Sequence, residues 1–430
     1  MTKKAESLSD IVNLFKPMAL TEKQQAFYQK TAAVRDGAPY EFHDGLFERI
    51  RKSDTSERLL VVGHGGCGKS TELNMLMGKL SADSFPVIYV TAQDDLDLYS
   101  FNYLDIFMLI VERMAQYAEK HSLTVDKGII AAFQKALSTK ITQDFWNAEA
   151  ELEAEGSVSL SVPFALFIRA IAKITASLKM ASGLKEELRR ELRPRIYDVI
   201  ASLNAFIGNI SDHASKKVVI IIDGLEKCRQ ENVRKLFIED IVAIADIKAH
   251  LVVSCPISVY RSSDAALLSG YFSSPVVIPM IKTHNIKGKP YDAGVNVIRE
   301  LVQKRADSSF FEGEVLDKII SKAGGSLRDT CYLLSNSAFE ADMRGREIID
   351  MESLDFTIGN FAVDVFFRVD AKLYSRAQEI YDGDNMAKQD PELTQLLYCG
   401  AAFEYNGDRW VDLHPLVREY IQAHPGVLAR

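Results

Sequence analysis

Between residues 63 and 71 the chain reads Gly-His-Gly-Gly-Cys-Gly-Lys-Ser-Thr, four glycines followed by one cation and two hydroxyls. Glycines let a backbone curl until successive N–H groups face one point, which cradles an anion without supplying a base or a nucleophile. The spacing is G-x-x-x-x-G-K-[ST], filled by Gly63, Gly68, Lys69 and Ser70. In that pattern the lysine reaches the β- and γ-phosphates of a nucleotide, and the hydroxyl after it ligates Mg²⁺. Nucleotide binding is therefore assigned to Gly63, Gly65, Gly66, Cys67, Gly68, Lys69, Ser70 and Thr71. His64 and Cys67 fill variable positions of the loop, and neither is given a catalytic role.

A second group of candidates lies in "VVIIIDGLEKC". Asp223 stands where the apolar run stops, the place for a carboxylate that holds Mg²⁺ through water. Glu226, three residues on, either orients or deprotonates the attacking water or is a solvated residue at a helix start. Ser254 ends the run "HLVVS" and either senses the γ-phosphate or forms a turn. Arg328, in "AGGSLRDT", either reaches the phosphates from another part of the chain or pairs with Asp329 or Glu340. His414, in "DLHPLVR", stands at the start of the last helix pattern.

These residues need elements to carry them. Short Val- and Ile-rich runs at 58–63, 86–91, 218–223, 250–255 and 275–280 alternate with helical patterns, which predicts an α/β fold with a parallel sheet covered on both faces. The second and third runs are too far apart for one crossover. The segment at about 93–215 is therefore read as a helical insertion, with a charged helix at 148–155, an amphipathic one at 162–180 and a long one at 185–207. After about residue 285 only helices recur, at 293–305, 314–323 and 326–343. Near the end, a helix, two short strands turning at Asn406-Gly407 and a helix opening at Pro415 spell a winged helix. The expected division is 1–57 as an N-terminal helical segment, 58–285 as a P-loop core, 286–350 as a helical lid and 351–430 as the winged helix.

The composition narrows the function classes. The 430 residues carry a net charge of −8, so the whole chain has no polyanion-binding footprint. The five cysteines, Cys67, Cys228, Cys255, Cys331 and Cys399, form no CxxC pair, as expected in a reducing compartment. No apolar core of a signal peptide stands at 1–15, and Arg169 and Lys173 interrupt the 162–180 stretch. A cytoplasmic protein with no stable membrane insertion is expected.

Taken in order, "GHGGCGKSTEL", "IIIDGLEK", "VVSCP", "GGSLRD" and "NGDRWVDLHPLVR" resemble bacterial P-loop ATPases of the AAA+/STAND-like division. The resemblance covers most of the chain, including 14–35. It implies a core, a lid and a winged helix clamped around ATP or ADP with Mg²⁺. On it, Ser254 becomes a first sensor of the γ-phosphate and Arg328 a second. His414 becomes the winged-helix histidine that grips the ADP β-phosphate. Two departures stand out. Gly224 follows Asp223 where AAA+ motors carry a glutamate, so the next acid is Glu226, a spacing closer to STAND and NACHT-like switches. The arginine that STAND proteins usually carry after the fourth strand is replaced by Ser254-Cys255-Pro256, and no repeat array is present in these 430 residues.

The resulting expectation is an ATP-binding, slowly hydrolysing switch or regulatory ATPase that acts with a protein partner in a bacterial multi-protein system such as antiphage defence. Homo-oligomers are open, with Arg193 and Arg261 as candidates for completing a neighbour's site. The alternative is a DNA-binding AAA+ ATPase, with the winged helix on duplex DNA and Lys185, Arg189, Arg190, Arg193 and Arg195 along one face. A third reading lays helix 162–180 on a membrane surface.

Overall fold

The computed structural model describes residues 3–138, 142, 162–180, 183–273, 275–386, 390–405 and 410–424. The charged helix expected at 148–155 and the Asn406-Gly407 turn lie outside the described residues.

All five expected strands form: β1 (Arg58–Gly63), β2 (Val87–Thr91), β3 (Val219–Asp223), β4 (His250–Pro256) and β5 (Val276–Ile278). They make one parallel sheet in the order β2-β3-β4-β1-β5. Every residue of β3 and β4 is buried, because helices cover both faces, and the strands are apolar apart from Asp223, His250 and Ser254. The two-residue period divides them between two cores. Leu60, Val62, Ile220, Ile222, Leu251 and Val253 face one, while Leu59, Val61, Val219, Ile221 and Val252 face the other.

The second core is closed by helices Phe42–Lys52 and Lys69–Ala82, through Leu46, Ile50, Leu73, Leu76 and Leu80. The first lies under the helices between β2 and β3. There Phe133, Phe167 and Phe206 meet from three helices with ring centroids 5.4 to 6.3 Å apart. Helix Val162–Lys179 buries Phe164, Phe167, Ala170, Ile171, Ile174 and Leu178 in this core. Its apolar face is thus already covered by protein, which removes the basis for the membrane-surface reading. No helix among the described residues is long and apolar enough to cross a membrane. The single helix expected at 185–207 is two, Gly183–Leu192 and Ile196–Ala214, joined by a 3₁₀ turn at Arg193–Arg195. Pro194 explains the break, since it lacks the N–H and crowds the preceding turn.

Beyond β5 the chain is helical: Asp292–Gln303, Val315–Ala323, Leu327–Met343, Met351–Phe367, Tyr374–Tyr381 and Pro391–Cys399. Then β6 (Ala402–Tyr405) pairs antiparallel with β7 (Trp410–Leu413), and helix Pro415–Ala423 follows. This pair reaches back to the main sheet, where Met280 N–H donates to the Glu404 carbonyl at 3.2 Å. The N-terminal helix Leu8–Leu14 packs against Leu327–Met343. The N-terminal helix thus rests on a C-terminal helix, and β6 rests on the chain just after β5.

Candidate functional site

The glycine-rich loop leaves β1 at Gly63 and enters helix Lys69–Ala82 at Gly68. Gly66 and Gly68 have φ of +89° and +106°, left-handed values that only glycine adopts freely. At Gly63 a Cβ would stand 2.7 Å from both Cys67 Sγ and the Ile278 carbonyl, so the position has no room for a side chain. No side chain caps the helix at Gly68, which leaves the first-turn N–H groups open for an anion.

Lys69 is 2% exposed, and its Nζ donates to the carbonyls of His64 at 2.8 Å and Gly63 at 3.1 Å. Glu226 Oε1 stands 3.5 Å away. Burial alone would lower the Lys69 pKa, but Glu226 and Asp223 outweigh it and the net shift is upward. The ammonium is therefore held charged. Asp223, at the end of β3, accepts from the Tyr89 hydroxyl at 3.0 Å and from Gly224 N–H at 2.7 Å. Its carboxyl is pushed above the usual range by burial and by the Glu226 charge, against the pull of Ser70, Lys69 and Tyr89. Two carboxylates thus share a dry site with one cation. Glu226 Oε2 is buried with no hydrogen-bond partner. That arrangement fits a divalent cation. Ser70 and Asp223 would hold Mg²⁺ through oxygen, with phosphate and water completing the shell.

These groups line one end of a cavity of about 410 Å³, within the range of small-molecule pockets. Pro17, Met18, Leu20, Leu301, Leu327 and Cys331 line it as well. A ligand with a polyanionic end and a flat apolar end suits both linings. Thr71 and Cys67 are on the wall. Thr71 Oγ1 accepts from Leu20 N–H at 3.2 Å, and the Cys67 carbonyl accepts from Arg35 at 2.7 Å.

Ser254 does not line this cavity. It is fully buried, and its hydroxyl accepts from Leu225 N–H at 3.3 Å, which holds the turn carrying Glu226. Arg328 opens helix Leu327–Met343, and the N–H groups of Leu327 and Arg328 donate to the Gly66 carbonyl at 3.1 and 3.3 Å. The guanidinium lies where a Cβ on Gly65 would be, 2.3 Å from that point. It does not pair with Asp329 or Glu340, because Asp329 faces His414 and Glu340 pairs with Arg344.

His414 also stands outside the cavity wall. It is 1% exposed, its Nδ1 accepts from Leu416 N–H at 3.2 Å as a helix cap, and its Nε2 is 3.6 Å from Asp329. Burial would raise the Asp329 pKa, yet His414 and Ser326 bring it below the usual carboxylate range.

The basic face proposed for DNA does not assemble. Lys185 is 2% exposed and paired with Asp97 at 2.8 Å, Arg189 pairs with Asp105, and Arg195 donates to the Ser138 carbonyl. Of the five, Arg190 and Arg193 are exposed. Arg261 donates to Glu404 Oε2 at 2.7 Å.

Several residues escaped the sequence reading. Arg35, 2% exposed, donates to Thr31 Oγ1 at 2.9 Å and to the carbonyls of Cys67 and Pro279, so one guanidinium joins the N-terminal segment, the loop and the exit of β5. Tyr28 donates to Glu72 at 2.7 Å, and His43 Nδ1 meets the same carboxylate at 2.7 Å. His64 Nε2 accepts from Glu404 N–H at 2.8 Å, a contact from the glycine loop to β6. Its pKa falls to about 3, first through burial and then through Lys69.

Residues 42–250, just under half of the chain, match the family model for the KAP family P-loop domain. No curated protein matches the sequence. Among solved structures, the chain is similar to the ORC1 protein of Aeropyrum pernix in complex with DNA, at 12% identity over 99% of this chain and 98% of that one, with a TM-score of 0.41. It is similar to the ADP form of the Aeropyrum pernix ORC2 protein, at 10% identity over 96% and 99%, with a TM-score of 0.44. The Thermotoga maritima RuvB Holliday junction branch migration motor matches at 11% identity over 88% and 93%, with a TM-score of 0.32. The sheet, the loop and the family match together define a P-loop NTPase fold.

Proposed function

We propose that the chain is an ATP-binding and slowly hydrolysing molecular switch, an ATPase of the AAA+/STAND-like kind that regulates a protein partner in a bacterial multi-protein system such as antiphage defence. One observation carries the reading: the phosphate loop is itself a docking surface. The Gly66 carbonyl takes N–H groups from Leu327 and Arg328, and the His64 ring takes one from Glu404. A nucleotide that reshapes the loop must act on both contacts. Residues 286–350 then serve as a lid and 351–430 as a winged helix, with Arg328 reporting the terminal phosphate.

In the reaction, Lys69 and Ser70 hold phosphate and metal, Asp223 holds the metal shell, and Glu226 takes the proton of the attacking water. Mg²⁺, when bound, offsets the charge of the β- and γ-phosphates. Slow turnover is supported by the Glu226 contact to Lys69 at 3.5 Å, since the base must leave its cation before it can act. Ser254 contributes by holding the Glu226 turn. His414 contributes by fixing Asp329 beside Arg328. Duplex DNA is not favoured, because three of the five basic residues that would track phosphates, Lys185, Arg189 and Arg195, are spent on internal contacts.

The test is nucleotide content and assembly state. Denaturing the purified chain is expected to release ADP in about one-to-one ratio, and Lys69→Ala is expected to release none. Light scattering with ATP or ADP should give different assembly states, alone or with a candidate partner. Equal nucleotide retention by wild type and Lys69→Ala, or an assembly state indifferent to nucleotide, would sink the proposal.

A further inference from the structure

A second chamber of about 290 Å³ opens on the other half of the loop, lined by Gly63, His64 and Gly65 rather than Gly66 to Thr71. Its remaining walls come from the turn after β4, from residues 397–400 and Phe403, and from Arg328, Asp329 and Arg368. It meets the first cavity at Glu226, Lys227 and Arg328, which line both.

Three cationic side chains, Lys227, Arg328 and Arg368, line this chamber with two carboxylates, Glu226 and Asp329. Asp329 is held by His414, Ser326 and the Arg328 charge, and Glu226 meets Lys69 through Oε1 while its Oε2 has no partner. Arg328 and Arg368 are both exposed side chains on this lining; among the described residues neither guanidinium makes a hydrogen bond or an ion pair, and the Arg328 charge acts on Asp329. The Ser258 hydroxyl, on the same wall, is fully buried and has no partner. The His64 ring lies on the same lining. Because Nε2 accepts from Glu404, Nδ1 carries the hydrogen, and the Leu397 backbone is its neighbour. A buried hydroxyl without a partner, as at Ser258, marks a place where a group is received. Two free guanidiniums and a hydroxyl select an oxyanion. At about 30 Å³ per water, the space holds a small hydrated anion.

We propose that this chamber is a phosphate site, in which Arg328, Arg368 and Ser258 hold inorganic phosphate beside Glu226. The inference rests on the hydrolytic reading above. Water adds its oxygen to the terminal phosphorus of ATP, and the bond to the bridging oxygen breaks with its electron pair kept by ADP. Of the two water hydrogens, one stays on the phosphate and the other leaves to solvent through Glu226. The phosphate then lies beside Glu226 and Arg328, which line both cavities. Arg368 follows helix Met351–Phe367, whereas Ser258 follows β4, so a held phosphate ties the C-terminal region to the sheet. Its departure frees that tie.

The experiment is a titration of inorganic phosphate into the full chain saturated with ADP and Mg²⁺, read by ³¹P line broadening. ADP fills the first cavity, and Arg368 lines only the second. Arg368→Gln and Ser258→Ala are expected to weaken phosphate by about tenfold with ADP affinity unchanged. Arg368 is exposed and unpaired, so the fold does not depend on it. Absence of phosphate broadening in the wild type, or equal affinity in all three proteins, overturns the proposal. A single-turnover comparison of cleavage with phosphate release then identifies the source. A lag in release that Arg368→Gln removes names the nucleotide, whereas binding without a lag names phosphate from solution. If the chain bound no ADP, the hydrolytic reading would fall, and the same titration without ADP would still decide the chamber.

Discussion

Acidification should undo the contact between the glycine loop and the C-terminal strands before it unfolds the rest. His64 must be neutral to accept the Glu404 N–H, and its surroundings enforce this: the ring is 3% exposed, and Lys69, Arg261 and Arg328 all face it. Its pKa drops from the ordinary 6.5 to about 3. A histidine whose folded pKa lies below its unfolded one contributes stability that is present above 6.5 and is lost as pH falls toward 3. At pH 5.0 the unfolded or undocked ring is largely protonated and the docked one is not. The linkage relation, at 1.36 kcal/mol per unit, gives a loss of about 2 kcal/mol relative to pH 7.5. That is about a thirtyfold rise in the population of the open contact. Hydrogen exchange at the Glu404 amide reads it directly, once rates are expressed as protection factors, which remove the intrinsic pH dependence. His64→Gln keeps an acceptor and has nothing to titrate, so its protection should change little over the same interval. An equal pH slope in His64→Gln and wild type would refute the reasoning, whatever their absolute stabilities.

Three further outcomes follow from the site. Asp223→Asn should stabilise the chain in the absence of Mg²⁺ and nucleotide by on the order of 1 kcal/mol in urea unfolding at neutral pH, while abolishing Mg²⁺-dependent turnover. Because burial and Glu226 raise the Asp223 pKa, the wild-type deficit should grow as pH rises through that raised value and vanish in acid; a destabilised Asn variant at pH 7 would contradict this. Arg35→Met should cost at least about 2 kcal/mol, since it strips donors from the Cys67 and Pro279 carbonyls and from Thr31 in a dry site. Unchanged urea stability would show that solvent reaches those groups. Glu226→Gln should lower single-turnover hydrolysis by about a hundredfold or more with ATP affinity retained, and a drop of only a few-fold would remove Glu226 from the role of base.

What the sequence disclosed was whatever is local. Strands β1, β3 and β4 are nearly continuous apolar runs because both faces are covered, and such runs are visible without any partner. The loop and Asp223 are legible for the same reason, since their meaning lies in spacing along the chain. Arg35 was not, because the carbonyls that it serves belong to residues 67 and 279. Lys185 and Arg189 read as a basic face, yet Asp97 and Asp105 claim them from more than eighty positions away. Ser254, at a strand end, left a sensor and a turn former both open; its hydroxyl accepts from the backbone of Leu225, and Ser258 lines the second chamber. Long-range pairs of polar groups carry no periodicity, so only the folded arrangement reveals them.

The same long-range pairs constrain how a ligand could move this molecule. A ligand that binds two arrangements equally shifts nothing, so the coupling must come from a contact that phosphate and docking both use. Lys69 is such a contact. Its ammonium rests on the carbonyls of Gly63 and His64 and beside Glu226, and a phosphate at the loop must draw it away from at least one of them. His64 offers its carbonyl to Lys69 and its ring to Glu404, so a change at one end of the residue is felt at the other. Gly66 does the same through its own carbonyl, held by Leu327 and Arg328. The N-terminal segment, by contrast, grips the loop through Arg35 and Thr71, which donate to or accept from backbone that the phosphates do not need to displace. The expected motion is therefore one-sided: residues 1–57 stay with the sheet, and the segments beginning at Leu327 and Glu404 are released or drawn in.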